Sequence, residues 1–169
     1  MEPGLFFSIV CIGVGATLIM DIWALFVKKA FSVPSLNYCL VGRWLAHMPN
    51  GQFAHGSIMQ SEPKPLECHV GWVAHYAIGV AFAAVLIAIM SPGWQQAPTI
   101  IPSVLFGLAT VAVPFLLMQP SFGFGVAASK TPNPKQARLR SLMAHTSFGV
   151  GLYIAALVAS SLTSLWATA

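Results

Sequence analysis

Four long apolar stretches constrain this chain more than any other feature. They cover residues 5–27, 69–90, 99–118 and 142–166, and about 20 apolar residues are enough for a helix to cross the hydrocarbon core of a bilayer. Charged residues make up 7% of the chain, whereas soluble domains carry about 25%. The sequence therefore predicts an all-α integral membrane protein, a four-transmembrane-helix bundle that occupies residues 1–169 as a single membrane domain.

The first stretch is interpreted as a retained helix rather than as a cleaved secretory signal. Glu2 stands where a signal would carry basic residues, Asp21 interrupts the apolar run, and no convincing Ala-x-Ala cleavage site follows. In the third stretch, Pro114 lacks the N–H of a helical residue, so we expect a kink there.

The cations predict how the helices are oriented. All eight Lys and Arg residues fall in the two long connections, 28–68 and 119–141. By the positive-inside rule, both long loops are cytoplasmic and both termini lie on the other side of the membrane. Basic loops beside membrane helices are explained by this topology and by anionic lipid. The composition therefore predicts the lipid bilayer as a partner and no nucleic-acid binding.

The three cysteines predict no disulfide framework. Cys11 lies in the first apolar stretch, while Cys39 and Cys68 lie in a loop that the cations assign to the cytoplasm, a reducing compartment. No C-x-x-C motif and no haem-attachment motif occurs. We expect unpaired structural thiols.

The first cytoplasmic loop, 28–68, contains a short amphipathic helix. Pro34-Ser35 is typical of a helix start and Pro49-Asn50-Gly51 of a helix end. Apolar residues recur between them at helical spacing, which predicts an interfacial helix on the inner leaflet: Tyr38, Val41, Trp44, Leu45 and Met48. Residues 51–65 are polar and rich in turns, so we expect a surface loop with His47 and His55 solvated.

Asp21 is the least expected residue of the apolar stretches. A carboxylate in a membrane helix costs roughly 2.5–3.5 kcal/mol on insertion scales, so it usually faces partners inside a bundle. His75 and His145 lie near the starts of the second and fourth stretches, and Gln119 follows the third. These four residues are predicted to form a polar site near the cytoplasmic face.

The two halves of the chain resemble each other at these positions. Residues 74–80 (AHYAIGV) parallel 144–150 (AHTSFGV), and 18–21 (LIMD) parallel 116–119 (LLMQ). The matches predict a duplicated helical hairpin in which Asp21 is equivalent to Gln119, and His75 to His145. Small residues on the same faces allow close helix approach, and they predict a set of helix-packing residues: Gly13, Thr17, Gly79 and Gly149.

Two imidazoles and a carboxylate at one depth are compatible with three kinds of chemistry. His75, His145 and Asp21 are a candidate ligand set for a transition metal, and the two histidines are candidate haem ligands. Intramembrane Asp and His also relay protons or ions. Alternatively, the polar groups only hydrogen-bond the helices to each other. Motifs of hydrolytic enzymes are absent, so an enzyme is the less favoured prediction.

The chain resembles a family of small bacterial four-helix inner-membrane proteins known only as a domain of unknown function. The resemblance rests on Met20-Asp21, on Gly42-Arg43-Trp44 and on the two Ala-His-x-x-x-Gly-Val segments. It implies a multi-pass protein of the bacterial inner (cytoplasmic) membrane and no activity. In that membrane, the orientation predicted from the cations makes both termini periplasmic.

The leading functional prediction is a small binding or transport module with its polar site at Asp21, His75, His145 and Gln119. Its cofactor is unknown, with a transition metal or haem as candidates. The alternative is a structural or accessory subunit of a larger membrane complex or homo-oligomer, in which the polar residues serve only helix packing.

Overall fold

A computed structural model describes residues 3–90 and 92–167 of the chain. The described residues contain no strands, and four helices are long and apolar enough to span a membrane. The predicted all-α fold with four membrane-spanning helices is confirmed at this level.

The helices differ from their predicted bounds mainly at their ends. In chain order they are α1 Pro3–Phe31, α2 Tyr38–His47, α3 Glu67–Ile89, α4 Ile100–Ala109, a π-helical stretch Pro114–Met118, α5 Gln119–Ser121 and α6 Pro134–Ala167. Helix α6 begins before the predicted residue 142 because Pro134 suits a first helical position. Asn133 caps this start, since its Oδ1 accepts from the Gln136 N–H at 3.3 Å.

The third span, 100–121, is irregular near Pro114. Helix α4 already ends at Ala109, and the chain turns before the π-helical stretch begins at Pro114. Proline has no N–H to donate to the carbonyl of Thr110, and that carbonyl accepts instead from the Val113 N–H at 3.1 Å. The helix direction is therefore interrupted over the turn that precedes the proline.

Small residues set the helix pairs. Helix α1 packs against α3 and α6, and α6 also packs against α4. Gly13 and Thr17 of α1 lie against Gly79 of α3, and Gly107 of α4 lies against Gly149 of α6, each so close that a Cβ on the glycine would overlap its neighbour. These contacts are the small-residue packing typical of membrane helices.

The two long loops fold together at one end of the bundle. The N–H groups of His55 and Ile58 donate to the carbonyls of Ser121 and Phe122, at 2.8 and 3.0 Å. The side chains of Ile58 and Phe122 are completely buried. Most of residues 51–65 are exposed, as the prediction of a surface loop requires. His55 and Ile58 are buried where the second loop packs on them, so the two loops together form a folded cap.

Helix α2 packs along the first turns of α3. Gly42 lies against Gly71, and Arg43 forms a bidentate ion pair with Glu67, with N–O distances of 2.7 and 2.9 Å. Trp44 donates from Nε1 to the Phe53 carbonyl at 2.8 Å. The predicted helix of the first loop exists, and its residues are engaged with the protein.

Two predictions about this loop are wrong. Cys39 and Cys68 form a disulfide, because the packing of α2 on α3 brings together residues 29 positions apart; Cys11 is a free, exposed thiol. His47 and His55 are buried, with exposed fractions of 6% and 7%, and their ring centroids lie 5.0 Å apart. They are enclosed because the cap folds around them.

Candidate functional site

Asp21 is held by two side chains of α3. Its Oδ1 lies 3.0 Å from His75 Nε2, and its Oδ2 accepts from the Tyr76 hydroxyl at 3.0 Å. Helices α1 and α3 are antiparallel, and Thr17 lies against Gly79. Asp21, one turn after Thr17, therefore meets His75, one turn before Gly79. The small-residue contact therefore sets the Asp21–His75 pair.

Aromatic rings enclose the other side of His75. The Tyr38 ring stacks on the imidazole, with centroids 4.0 Å and planes 25° apart, and Trp72 meets it edge-on at 5.8 Å. Burial, and after it the negative charge of Asp21, raise the pKa of the Tyr38 hydroxyl well above its usual value. Tyr38 is therefore a neutral hydrogen-bonding group at physiological pH.

His145 has a different partner from His75. Its Nδ1 lies 2.7 Å from the hydroxyl of Thr110, at the interruption of the third span. Gln119 Nε2 donates instead to the Ser141 hydroxyl at 3.4 Å. The four predicted site residues thus form two clusters, with an acid only beside His75.

Both clusters border one cavity between the four spans. Its volume is about 400 Å³, and His75, His145 and Gln119 contribute to its lining. Asp21 does not line it and lies behind His75. Most of the wall is apolar, with Met20, Phe82 and Phe148 among its members. The cavity therefore has apolar sides and a few polar groups, the usual composition of a small-molecule site.

Two polar atoms near the cavity have no protein partner. Gln119 Oε1 and Arg140 Nε are buried and make no hydrogen bond within the part of the chain that the structure describes. Arg140 and Ser141 precede His145 on α6, and all three line the cavity. The donors Arg140 and Ser141 and the unpaired amide oxygen of Gln119 are thus concentrated on the α6 side of the cavity.

Metal ligation lacks a ligand set. Among residues 3–90 and 92–167, no three or more His, Cys, Asp or Glu side chains are grouped so as to hold a metal ion. His145 bonds Thr110 rather than Asp21, which leaves Asp21 and His75 as a pair. The metal-binding prediction for His75, His145 and Asp21 is therefore not supported.

Sequence reasoning missed several residues of these clusters. Tyr76 follows His75 directly and reaches Asp21 from the same turn, while Tyr38 depends on how α2 folds onto α3. Thr110 stands three residues after Gly107, the small residue opposite Gly149, and that spacing was an available signal. Arg140 was counted only as a topology signal in the sequence.

The family model described as "Protein of unknown function (DUF2938)" matches residues 10–159 of the chain. No curated protein and no solved structure matches the chain. The resemblance to a family of unknown function is thereby confirmed.

Proposed function

Since the chain belongs to this family of unknown function, we propose from its geometry that it is a small membrane binding or transport module. A ligand enters the cavity between the four spans, and the Asp21–His75 pair serves as a protonatable group in the cavity wall. The observation that carries the proposal is the cavity of about 400 Å³. Small-molecule sites typically have roughly 300–1,000 Å³, apolar walls and a few convergent polar groups.

Helix packing alone is a weaker explanation of the polar residues. Interhelical hydrogen bonds stabilise membrane bundles when the bonded groups are enclosed among packed side chains. The cavity of about 400 Å³ is partly open, so it is a pocket and not an enclosed void. Hydrogen bonds between helices do not require such a pocket beside His75 and His145, whereas a bound ligand does.

The Asp21–His75 pair supports coupling of binding to protonation. When His75 Nε2–H donates to Asp21, the other ring nitrogen, Nδ1, is left to bind the ligand or to accept a proton. Intramembrane Asp and His side chains commonly mark proton and ion pathways. His145 lines the same cavity, and its partner is the hydroxyl of Thr110 and not an acid.

Binding is tested with labelled histidines. We would record NMR spectra of histidine-labelled protein in lipid nanodiscs while adding octanol or octanoate. Ala144 lines the cavity, so Ala144→Trp fills it, whereas Ala112 is exposed on the third span and Ala112→Trp is the matched control. We expect saturable shifts of His75 and His145 in the wild type and in the control, and none in Ala144→Trp.

The opposite result favours the accessory-subunit alternative. If neither probe shifts His75 or His145 in the wild type, or if Ala144→Trp responds like the control, the cavity has no ligand role. The polar residues then serve only helix packing.

The proposal also includes a location: a bacterial inner membrane, with the long loops cytoplasmic and both termini periplasmic. The eight Lys and Arg residues of the loops support it. The Cys39–Cys68 disulfide favours the opposite orientation, because disulfides are rare in the cytoplasm. We give the cations more weight, since they act on helix insertion itself.

Thiol labelling of intact cells decides the orientation. In a Cys11→Ser background, Gly4→Cys and Lys130→Cys are treated with a membrane-impermeant maleimide. We expect labelling of Gly4→Cys only. Labelling of Lys130→Cys alone would show that the disulfide, and not the cations, indicates the outer face.

A further inference from the structure

The cavity has an unbalanced charge. In the described residues that line it, Arg140 is the only Lys, Arg, Asp or Glu, and the other titratable lining residues are Tyr38, His75 and His145. An arginine side chain remains protonated at any physiological pH. The cavity therefore carries a permanent positive charge at its α6 wall.

No acid of the described chain balances this charge. Glu67 pairs with Arg43, and Glu62 pairs with Lys64. Asp21 is hydrogen-bonded to His75 and Tyr76. The Nε of Arg140 is buried and lacks a partner among the residues that the structure describes. Arg140 as a whole is half-buried, and no acid of the described residues lies beside it in the cavity lining, so an anionic ligand would supply the missing counter-ion.

One neighbour of Arg140 adds a second donor for an oxyanion. Ser141 follows Arg140 on α6 and also lines the cavity; its hydroxyl accepts from Gln119 Nε2, so its own hydrogen is left to donate to a ligand. The free atom of Gln119 is Oε1, an acceptor, which suits the hydroxyl of a protonated acid group. Charge-assisted hydrogen bonds from arginine to carboxylate or phosphate are among the strongest in proteins.

The rest of the cavity suits an aliphatic chain. Its wall includes Met20, Trp23, Ile78, Phe82 and Phe148, and such a surface gains free energy by covering apolar groups. A small hydrophilic anion would leave most of this wall in contact with water. The apolar wall and the cationic end together therefore favour a ligand that has an apolar portion and a negatively charged group.

We infer that the cavity binds an amphiphile with one acidic head group, a carboxylate or a phosphate monoester, which contacts Arg140 while its aliphatic tail lies along the apolar wall. The inference rests on the proposed function, because it names the ligand class of the same cavity. A fatty acid and a lipid-derived phosphate share this chemistry.

The test compares head groups on one tail. Histidine-labelled protein in nanodiscs is titrated with octanoate, octyl phosphate, octanol and inorganic phosphate, and the dissociation constant is taken from the His145 resonance. We expect octanoate or octyl phosphate to bind about tenfold or more tightly than octanol, because a hydrogen bond to a charged group is worth that much. Whichever of the two binds more tightly identifies the head group.

Matched arginine variants assign the preference to one residue. Arg140→Gln should abolish the advantage of the anionic probes, and Arg140→Lys should retain part of it. Arg138 is exposed and donates to the Ala127 carbonyl at 2.8 Å, so Arg138→Gln should leave every dissociation constant unchanged. The octanol titration shows whether Arg140→Gln still folds with an open cavity.

Each contrary outcome overturns a defined part. If neither octanoate nor octyl phosphate binds the wild type more tightly than octanol does, the acidic head group is wrong and the proposed function is left intact. If inorganic phosphate binds as tightly as octyl phosphate, the cavity does not recognise an aliphatic tail, and that part of the inference is wrong. If no probe binds, the proposed function itself fails.

Discussion

Loss of the Cys39–Cys68 disulfide should destabilise the protein measurably. The bond closes a segment across a sequence separation of 29 residues, and the chain-entropy model gives about 3.5 kcal/mol for a loop of that length at 25 °C. Unfolded membrane proteins keep helical structure in detergent, which lowers the entropy that the bond removes. We therefore expect Cys68→Ser to cost roughly 2–3.5 kcal/mol.

Thermal unfolding in detergent micelles measures this cost. One kcal/mol shifts the melting temperature of a protein of this size by about 2–4 °C, so we expect a decrease of roughly 4–14 °C. A phosphine reductant should lower the melting temperature of the wild type by a similar amount and leave Cys68→Ser unchanged. Cys11→Ser is the matched control, because Cys11 is a free, exposed thiol.

Two results would refute this reasoning. One is an equal melting temperature for the wild type and Cys68→Ser under oxidising conditions. The other is alkylation of all three cysteines in unreduced protein, detected by mass spectrometry. Since Tyr38 precedes Cys39 and stacks on His75, reduction should also broaden or shift the His75 resonance.

Three further predictions concern packing, pH and the acid. In detergent unfolding, Gly107→Ala should cost about 1–3 kcal/mol, because its Cβ would overlap the backbone of α6. Gly4→Ala is the control and should leave the unfolding curve unchanged, because its Cβ would meet no atom within 4 Å. Burial, and after it the charge of the His47 imidazole, lower the pKa of His55 in the folded protein. Because the unfolded chain therefore binds a proton at His55 more readily, the free energy of unfolding should fall as pH drops through about 6.5, and His55→Gln should flatten that pH profile. Asp21→Ala should cost roughly 1–2 kcal/mol in SDS unfolding, because it leaves His75 and Tyr76 unpaired. Asp21→Asn should cost less, because its amide oxygen still accepts a hydrogen bond, and equal losses for the two variants would contradict the assigned bonds.

The spans were predictable because their signal is local. Length and apolar composition alone locate membrane helices, so the four stretches correspond to the four spans. The start of α6 was misplaced because Pro134 and its basic neighbours resemble a loop. Pro114 marked an irregular helix, but the backbone accommodates it a turn earlier, at Thr110.

The cap was not predictable because its signals are tertiary. Cys39 and Cys68 meet only when α2 folds along α3, and His55 is buried only when the second loop covers it. The polar composition of 51–65 is typical of a solvated loop, whereas Ile58 alone supplies its buried anchor. No periodicity in one segment reveals such a contact.

The sequence predicted which residues lie at the site, but it did not predict which of them are hydrogen-bonded to each other. A costly acid implied partners, and His75 is one of them. His145 and Gln119 do line the same cavity, but they bond Thr110 and Ser141, which the sequence comparison did not single out. The alignment paired Gly79 with Gly149, but it did not pair the glycines of the facing helices, Gly13 and Gly107.

The glycine contacts explain why the two halves are not equivalent. Asp21 stands eight residues after Gly13, whereas Gln119 stands twelve after Gly107, a difference of about one helical turn. Measured from these contacts, Gln119 lies one turn too far to meet His145, and it reaches Ser141 instead. The interruption before Pro114 lies within this longer spacing. One wall of the cavity thus has an acid–imidazole pair behind it. The α6 wall carries His145 and Arg140, with no Asp or Glu among the described residues that line the cavity. Arg140 therefore gives the cavity its positive end, and the one-turn difference leaves Gln119 bonded to its neighbour Ser141.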